Sequence, residues 1–183
     1  MSKLIEASLA AADLVSDLIG YAAVRDWTAT SRRGERLLDL VSYTQLNSFA
    51  CGAVAGFQVV KSIYSGAEFA DFYEAIKPDP IRGTPASALI RGLRRFGVAV
   101  TPRRNLTTAN LRRCIRGGNY VIVCIQNPGA DHHHWVVAHG YARSHLLLAG
   151  NGVPWFHRRR IAWERFESIW RPYGNGLICC EEE

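Results

Sequence analysis

Residues 45–64 read QLNSFACGAVAGFQVVKSIY, and the interpretation of the whole chain depends on this stretch. Gln45 stands six residues before the pair Cys51-Gly52, and the apolar spacing after that pair predicts an amphipathic helix to about Tyr64. A thiolate at a helix N-terminus is stabilised by the positive end of the helix dipole and by the unpaired N–H groups of the first turn. Free cysteine is also among the most buried residue types, so Cys51 taken alone fits a small core residue. The rest of the chain has to supply partners for a nucleophile.

The composition is that of one globular domain. The chain has 183 residues, 48% of them hydrophobic and 21% charged, and a domain of this size buries roughly 70% of its unfolded surface. No apolar run approaches the ~20 residues of a membrane-spanning helix. The apolar N-terminal segment is interrupted by Glu6, Asp13 and Asp17, where a signal peptide needs an uncharged core. We therefore expect a cytoplasmic protein without a membrane span.

Charge and cysteine content argue against several other classes. The net charge of +6 comes largely from arginines at helical spacing, which is typical of a solvated helix face, so we expect no nucleic-acid partner. The five cysteines form neither a C-x-x-C pair nor a metal-finger spacing, which favours reduced thiols over a disulfide scaffold or a structural zinc site. We expect no cofactor and no metal, and nothing in the sequence specifies an oligomeric state. The arginines concerned are Arg91, Arg94, Arg95, Arg103, Arg104, Arg112, Arg113, Arg116 and 158–160.

The predicted elements come in the order helices first and strands later. An amphipathic stripe predicts a helix over about 3–24, and a short helix or turn is predicted at 37–41. Residues 1–40 are therefore interpreted as a helical N-terminal extension and 41–183 as the main domain. This order predicts an α+β fold, with a helical N-terminal half packed on a C-terminal antiparallel sheet. The remaining helices are predicted over about 51–64, 67–76, 85–96 (with Thr84 as N-cap), 107–115 and 161–170, and the strands over about 98–101, 120–125, 133–141, 144–149 and 177–180.

The predicted strand 133–141 supplies imidazoles that could serve as the base for a catalytic thiol. Alternation along it places His134 on one face with Val136, and Trp135 on the other face with His139. His134 lies at the start of the strand and is the candidate base. The run 131–134, Asp-His-His-His, also suggests a metal site, but adjacent strand residues point to opposite faces, so at most two of its histidines could share an ion.

Two amide side chains could complete a catalytic set. Asn151 stands 17 residues after His134 and could hydrogen-bond the second imidazole nitrogen. Asn151-Gly152 between apolar runs is equally a preferred two-residue hairpin turn, and both interpretations remain open. The Gln45 amide could join the Cys51 backbone N–H in stabilising an oxyanion, where loss of one donor typically costs about 10²–10³ in rate.

The combined order Gln, Cys, His, Asn, with a helix after Cys and a strand after His, resembles the papain-like cysteine peptidases, in particular the double-glycine (bacteriocin-processing) peptidase family. The resemblance covers about residues 43–180. It implies a papain-like cysteine peptidase fold for 41–183, with Cys51 as nucleophile, His134 as general base and acid, Asn151 as orienting residue and Gln45 as oxyanion donor. The family usually has Asp-Pro where this chain has Asn151-Gly152. The matching motifs are Gln45, Cys51-Gly52, the run 118–123 (GNYVIV), the run 134–137 (HWVV), Gly140-Tyr141 and Asn151.

The resemblance implies a hydrolase that cleaves a peptide or isopeptide bond of a peptide or protein substrate through a thioester. The same triad would also serve an acyltransferase or a transglutaminase-like enzyme. A third alternative is a catalytically inactive papain-like binding module whose arginines face an acidic partner.

Overall fold

The structure, a computed structural model, describes residues 34–41, 43, 49–126, 133–150, 157–170 and 174–181, with the backbone alone at 150 and 157–159. The predicted helix over 3–24 lies outside these residues, as do Gln45 and Asn151. Within the described ranges, no helix combines the length and the apolar character needed to cross a bilayer.

The helices begin and end close to where the spacing of apolar residues predicts them. Two boundaries differ. Pro85, and not Thr84, occupies the N-cap position of the third helix, and Thr84 packs against Gly52 instead. The helix predicted from Ile161 begins two residues later, because Ile161 and Ala162 are the last residues of a strand that the sequence did not predict. The helices are α1 (Cys51–Ile63), α2 (Phe69–Ile76), α3 (Ala86–Arg95), α4 (Thr108–Arg116) and α5 (Trp163–Trp170).

The strands form one antiparallel sheet in the order β2-β7-β3-β4-β5-β6, with β1 paired to β4. The predicted α+β class with a C-terminal antiparallel sheet is confirmed. β2, which belongs to the helical half of the sequence, joins the sheet by pairing with the last strand, β7. The strands are β1 (Arg36–Leu37), β2 (Val98–Arg103), β3 (Tyr120–Gln126), β4 (His133–Tyr141), β5 (His145–Gly150), β6 (His157–Ala162) and β7 (Gly176–Glu181).

Helices cover both faces of this sheet. Because side chains alternate along a strand, Ile122 of β3 packs with α1, α2 and α3, whereas Val121 and Val123 pack with α4 and α5. On β4, Val137 belongs to the first of these cores and Val136 to the second. The face of the sheet that carries α1 is therefore the face on which the candidate nucleophile lies.

Two glycines let α1 approach its neighbours closely. A Cβ at Gly56 would lie 2.6 Å from Cδ1 of Leu89 in α3 and 2.8 Å from Cζ of Phe72 in α2. One turn earlier, a Cβ at Gly52 would lie 2.5 Å from Cβ of Thr84. The spacing of four residues places both glycines on the same side of α1, so the first turn of α1, where Cys51 lies, is pressed against the chain that leads into α3.

The segment before α1 is bound to the sheet. The short helix or turn predicted at 37–41 is wrong, since Leu37 is in β1 and pairs with Gly140 of β4, and residues 38–41 form neither a helix nor a turn. Two further contacts hold the segment: the Leu38 N–H donates to the carbonyl of His139 (2.8 Å), and the hydroxyl of Tyr120 donates to the Asp39 carbonyl. A two-residue strand has almost no pattern of its own, and only pairing with a distant strand defines it.

A charged cluster fixes the same segment to β5 and β6. The Glu35 side chain, only 2% exposed, accepts hydrogen bonds from Nε (2.7 Å) and Nη2 (3.1 Å) of Arg160. Its Oε1 also lies 3.0 Å from Nε2 of His145. The described part of the predicted N-terminal extension therefore packs as part of the main body.

Candidate active site

Cys51 is the first residue of α1, as the sequence predicts, and it is 6% exposed. The N-cap residue Ala50 makes no side-chain capping bond, and the first turn contains no acidic residue. The positive end of the helix dipole at Cys51 is therefore not neutralised within the helix itself. This environment favours negative charge on the sulfur or on an oxygen beside it.

Burial opposes that effect. It raises the pKa of the Cys51 thiol above its ordinary value, although backbone hydrogen bonds from Trp135, Gly52 and Cys51 itself act in the opposite direction. The resting side chain at neutral pH is thus a neutral thiol. A neutral thiol is a weak nucleophile, so chemistry at Cys51 requires a base that removes its proton.

The hydrogen bond from Trp135 brings the Cys51 thiol to the beginning of β4, one residue from His134. His134 is 6% exposed and pairs with Ile125 of β3. Alternation along β4 places its side chain on the face of Val136, whereas His133, which is exposed, is on the face of Trp135 and α1. His133 also lines the cleft that contains Cys51. The sequence drew attention to His133 only as part of a histidine run, and the structure makes it a second candidate imidazole.

A second thiol, Cys124, lies beside the first. It is in β3, in register with Trp135, and it lines the same cleft. Burial and the nearby Cys51 raise the pKa of Cys124 to about 12. Cys124 therefore stays protonated at neutral pH and does not compete as a nucleophile. Nothing in its sequence surroundings indicated this position, because the contact depends on how α1 packs across the sheet.

The cleft in front of these residues has a volume of about 560 Å³. Part of its lining comes from the chain that leads into α3, and the rest from β3, β4 and the start of α1. The two parts are joined at Trp135, whose indole Nε1 donates to the Thr84 carbonyl over 2.9 Å. The lining residues are Phe49, Cys51, 80–86, Cys124, His133 and Trp135.

Gln45 and Asn151 lie outside the described residues, so their predicted roles as oxyanion donor and orienting residue remain predictions. The structure places Cys51 and the start of the histidine strand together, and it adds Cys124, His133 and the 80–86 chain to the site.

Protein-family models and curated protein sequences contain no match to this chain. Solved structures do match. The peptidase domain of Streptococcus ComA, a bifunctional ABC transporter involved in quorum sensing, is 18% identical with a TM-score of 0.60, and the match covers 80% of this chain and 98% of that chain. A double glycine motif protease from an AMS/PCAT transporter, solved with its leader peptide, is 15% identical with a TM-score of 0.64, covering 81% and 95%. The peptidase domain of Streptococcus mutans ComA is 17% identical with a TM-score of 0.53, covering 79% and 98%.

At these identities the similarity concerns the fold. The chain has the papain-like fold of the double-glycine (C39) peptidase domains, and the resemblance that the sequence motifs indicated is confirmed. The neighbours described above are a double glycine motif protease and the peptidase domains of ComA transporters.

Proposed function

We propose that the protein is a papain-like cysteine hydrolase that cleaves a peptide or isopeptide bond through a thioester on Cys51. The observation that carries the proposal is the position of Cys51. It stands at the uncapped N-terminus of α1, lines an open cleft, and hydrogen-bonds the residue that follows His134.

Each step of the reaction has a proposed group. An imidazole at the start of β4 takes the proton from Sγ of Cys51, and the sulfur attacks the carbonyl carbon of the substrate. The sequence motif assigns this role to His134, whereas strand alternation places His133 on the side of the cleft. The backbone N–H of Cys51 and the amide of Gln45 stabilise the oxyanion. The amine leaves with the proton from the imidazolium, and Asn151 holds the imidazole in orientation. Water, deprotonated by the same imidazole, then attacks the thioester, which releases the carboxylic acid and restores the thiol.

The raised pKa of Cys51 supports a mechanism in which the base acts during the attack. Because burial favours the protonated thiol, the sulfur becomes a strong nucleophile only when a base removes its proton. Indiscriminate reaction with small electrophiles is correspondingly slow.

Two neighbouring histidines make the assignment of the base testable with a matched pair. Hydrolysis of a mixed peptide pool, followed by mass spectrometry of the newly formed termini, should be abolished by Cys51→Ala. The variant His134→Ala should lower kcat by about 10²–10⁴, and His133→Ala should affect KM more than kcat. Cleavage that persists in Cys51→Ala would overturn the hydrolase proposal, and the reverse order of the histidine effects would transfer the role of base to His133.

Acyl transfer is the close variant of this reaction, because an amine can replace water at the thioester. Adding an excess of glycinamide to the same assay separates the two. Mainly free carboxylic acid products support hydrolysis, whereas mainly glycinamide adducts would identify an acyltransferase.

A further inference from the structure

The chain between α2 and α3 forms a preorganised loop at the mouth of the cleft. Asp79 and Gly83 exchange two backbone hydrogen bonds (2.9 and 2.7 Å), and the Asp79 carboxylate accepts from the N–H groups of Ile81 and Arg82, each over 2.8 Å. These bonds lower the pKa of Asp79, so it is ionised at neutral pH. The tip of the loop is thus held in one conformation without help from a ligand.

Two neighbouring side chains at the tip of the loop are exposed. Ile81 is 94% exposed, and among the described residues it is the one large hydrophobic side chain that is exposed. Arg82 is exposed as well; its charge helps to lower the pKa of Asp79, but among the described residues it forms no ion pair within 4 Å. Both line the cleft that contains Cys51. A large apolar side chain and a guanidinium that are adjacent, exposed and part of the lining of the cleft with Cys51 are suited to contact a peptide that enters it.

The charge of the described cleft lining is positive. It contains no aspartate or glutamate, and Asp79, whose carboxylate binds the backbone of its own loop, is not part of it. The start of α3 also contributes to the lining, and the first turn of α3 carries no acidic residue. The dipole of α3 therefore adds to the charge of Arg82 and does not cancel it.

We propose that Ile81 and Arg82 form a substrate-docking element that selects peptides with a carboxylate side chain next to a large apolar side chain. The proposal rests on the hydrolase proposal for the identity of the site, and it names the class of peptide that the site takes. The acidic side chain pairs with the guanidinium, and the apolar side chain covers Ile81.

Binding can be measured without turnover in the Cys51→Ala protein. The probes are two fluorescein-labelled peptide mixtures with Leu-Glu or Leu-Lys at the central positions, the other positions being Gly, Ala, Ser and Asn in equal amounts. Fluorescence anisotropy should show the Leu-Glu mixture binding about 3- to 10-fold more tightly at low salt. An exposed charge pair contributes modestly to the binding free energy, and Lys in place of Glu roughly doubles the difference because it replaces an attraction by a repulsion. The preference should shrink at about 0.5 M salt.

The variants locate the effect. Arg82→Glu in the Cys51→Ala background should abolish or reverse the preference. Arg91→Glu, an equal charge change at an exposed site on α3 outside the cleft lining, should leave it intact. Ile81→Ser should weaken binding of the Leu-Glu mixture about threefold without changing the Glu-to-Lys ratio. Circular dichroism and thermal melting establish that each variant is folded.

The results that overturn the docking proposal differ from those that overturn the hydrolase. Equal binding of both mixtures, no binding of either, or equal effects of Arg82→Glu and Arg91→Glu would each reject recognition by the loop. An enzyme that cleaves peptides with no dependence on Arg82 would reject docking and keep the hydrolase. If the protein prefers the Leu-Glu mixture in a manner that depends on Arg82 but cleaves no peptide, the docking proposal stands and the hydrolase proposal is rejected.

Discussion

Replacing Gly52 by alanine tests how the fold holds the candidate nucleophile. The added Cβ would lie 2.5 Å from Cβ and 2.8 Å from Cγ2 of Thr84, whereas carbon atoms in contact are normally about 3.5–4.0 Å apart. Rotation of the Thr84 side chain cannot move its Cβ, because Cβ is attached directly to the backbone. That backbone is fixed by the hydrogen bond from Trp135 to the Thr84 carbonyl. The clash can be relieved only if α1 and the loop move apart.

The expected cost follows from two opposing contributions. Overpacking of this kind destabilises a protein by about 1–3 kcal/mol. Replacing glycine by alanine in a helix stabilises the helix by up to about 1 kcal/mol, which offsets part of that cost. We expect the free energy of unfolding of Gly52→Ala to fall by about 1–2 kcal/mol, which corresponds to about 2–8 °C in Tm for a chain of this length. Gly66→Ala is the matched control, since a Cβ there would meet nothing within 4 Å.

Urea unfolding followed by circular dichroism measures these differences. A double-mutant cycle with Thr84→Gly assigns the cost, because removing the Thr84 side chain should relieve the clash and give a coupling of about 1 kcal/mol or more. The reasoning is refuted if Gly52→Ala is as stable as the Gly66→Ala control. It is also refuted if the effects of Gly52→Ala and Thr84→Gly add within about 0.5 kcal/mol.

Three further predictions concern the second thiol, the buried carboxylate and the cleft loop. Cys124→Ala should keep hydrolytic activity within about threefold, because a thiol with a pKa near 12 is not a nucleophile at neutral pH. A loss of activity as large as that of Cys51→Ala would contradict this prediction. Glu35→Gln should lower the free energy of unfolding in urea by about 1–3 kcal/mol, because a 2% exposed carboxylate loses its charged partners. Glu74→Gln, whose ion pair is exposed, should cost at most about 0.5 kcal/mol, and equal effects would count against the difference in burial. The backbone hydrogen bonds of the cleft loop lower the pKa of Asp79, so the loop amides should stay protected from hydrogen exchange until the pH falls below the ordinary aspartate value of about 3.9. At every pH above that value, the loop amides of Asp79→Asn should exchange faster than those of the unmodified protein. Unchanged exchange in Asp79→Asn would show that the carboxylate does not order the loop.

Much of the architecture was readable from local pattern. Apolar residues at three- and four-residue spacing predicted α1 to α4, and the change to period two after residue 119 predicted β3 to β5. These signals are strong because a helix or strand with one buried face must repeat its apolar residues at its own period. The glycine that follows Cys51 is part of the sequence motif, and the structure supplies the physical reason for it in the close contact with Thr84.

The elements that sequence reasoning missed depend on partners far along the chain. β1 exists because Leu37 pairs with Gly140, and Ile161 is in a strand because it pairs with Leu146. Neither position has a local pattern that distinguishes it from a turn or a helix. Thr84 looked like an N-cap because Thr-Pro commonly begins a helix, but its side chain is used in the contact with α1.

The candidate site divides in the same way. By itself the sequence identified Cys51 and His134 as candidates and predicted the secondary structures that carry them, because helix and strand patterns depend on neighbours within a few residues. Only the tertiary structure decided that Cys124 and His133 share the cleft with Cys51, and that Arg82 stands at its mouth. Those positions result from packing α1 across β3 and β4 and from a loop closed by its own backbone hydrogen bonds. Which side chains face one cavity is a property of that packing, and no local spacing encodes it.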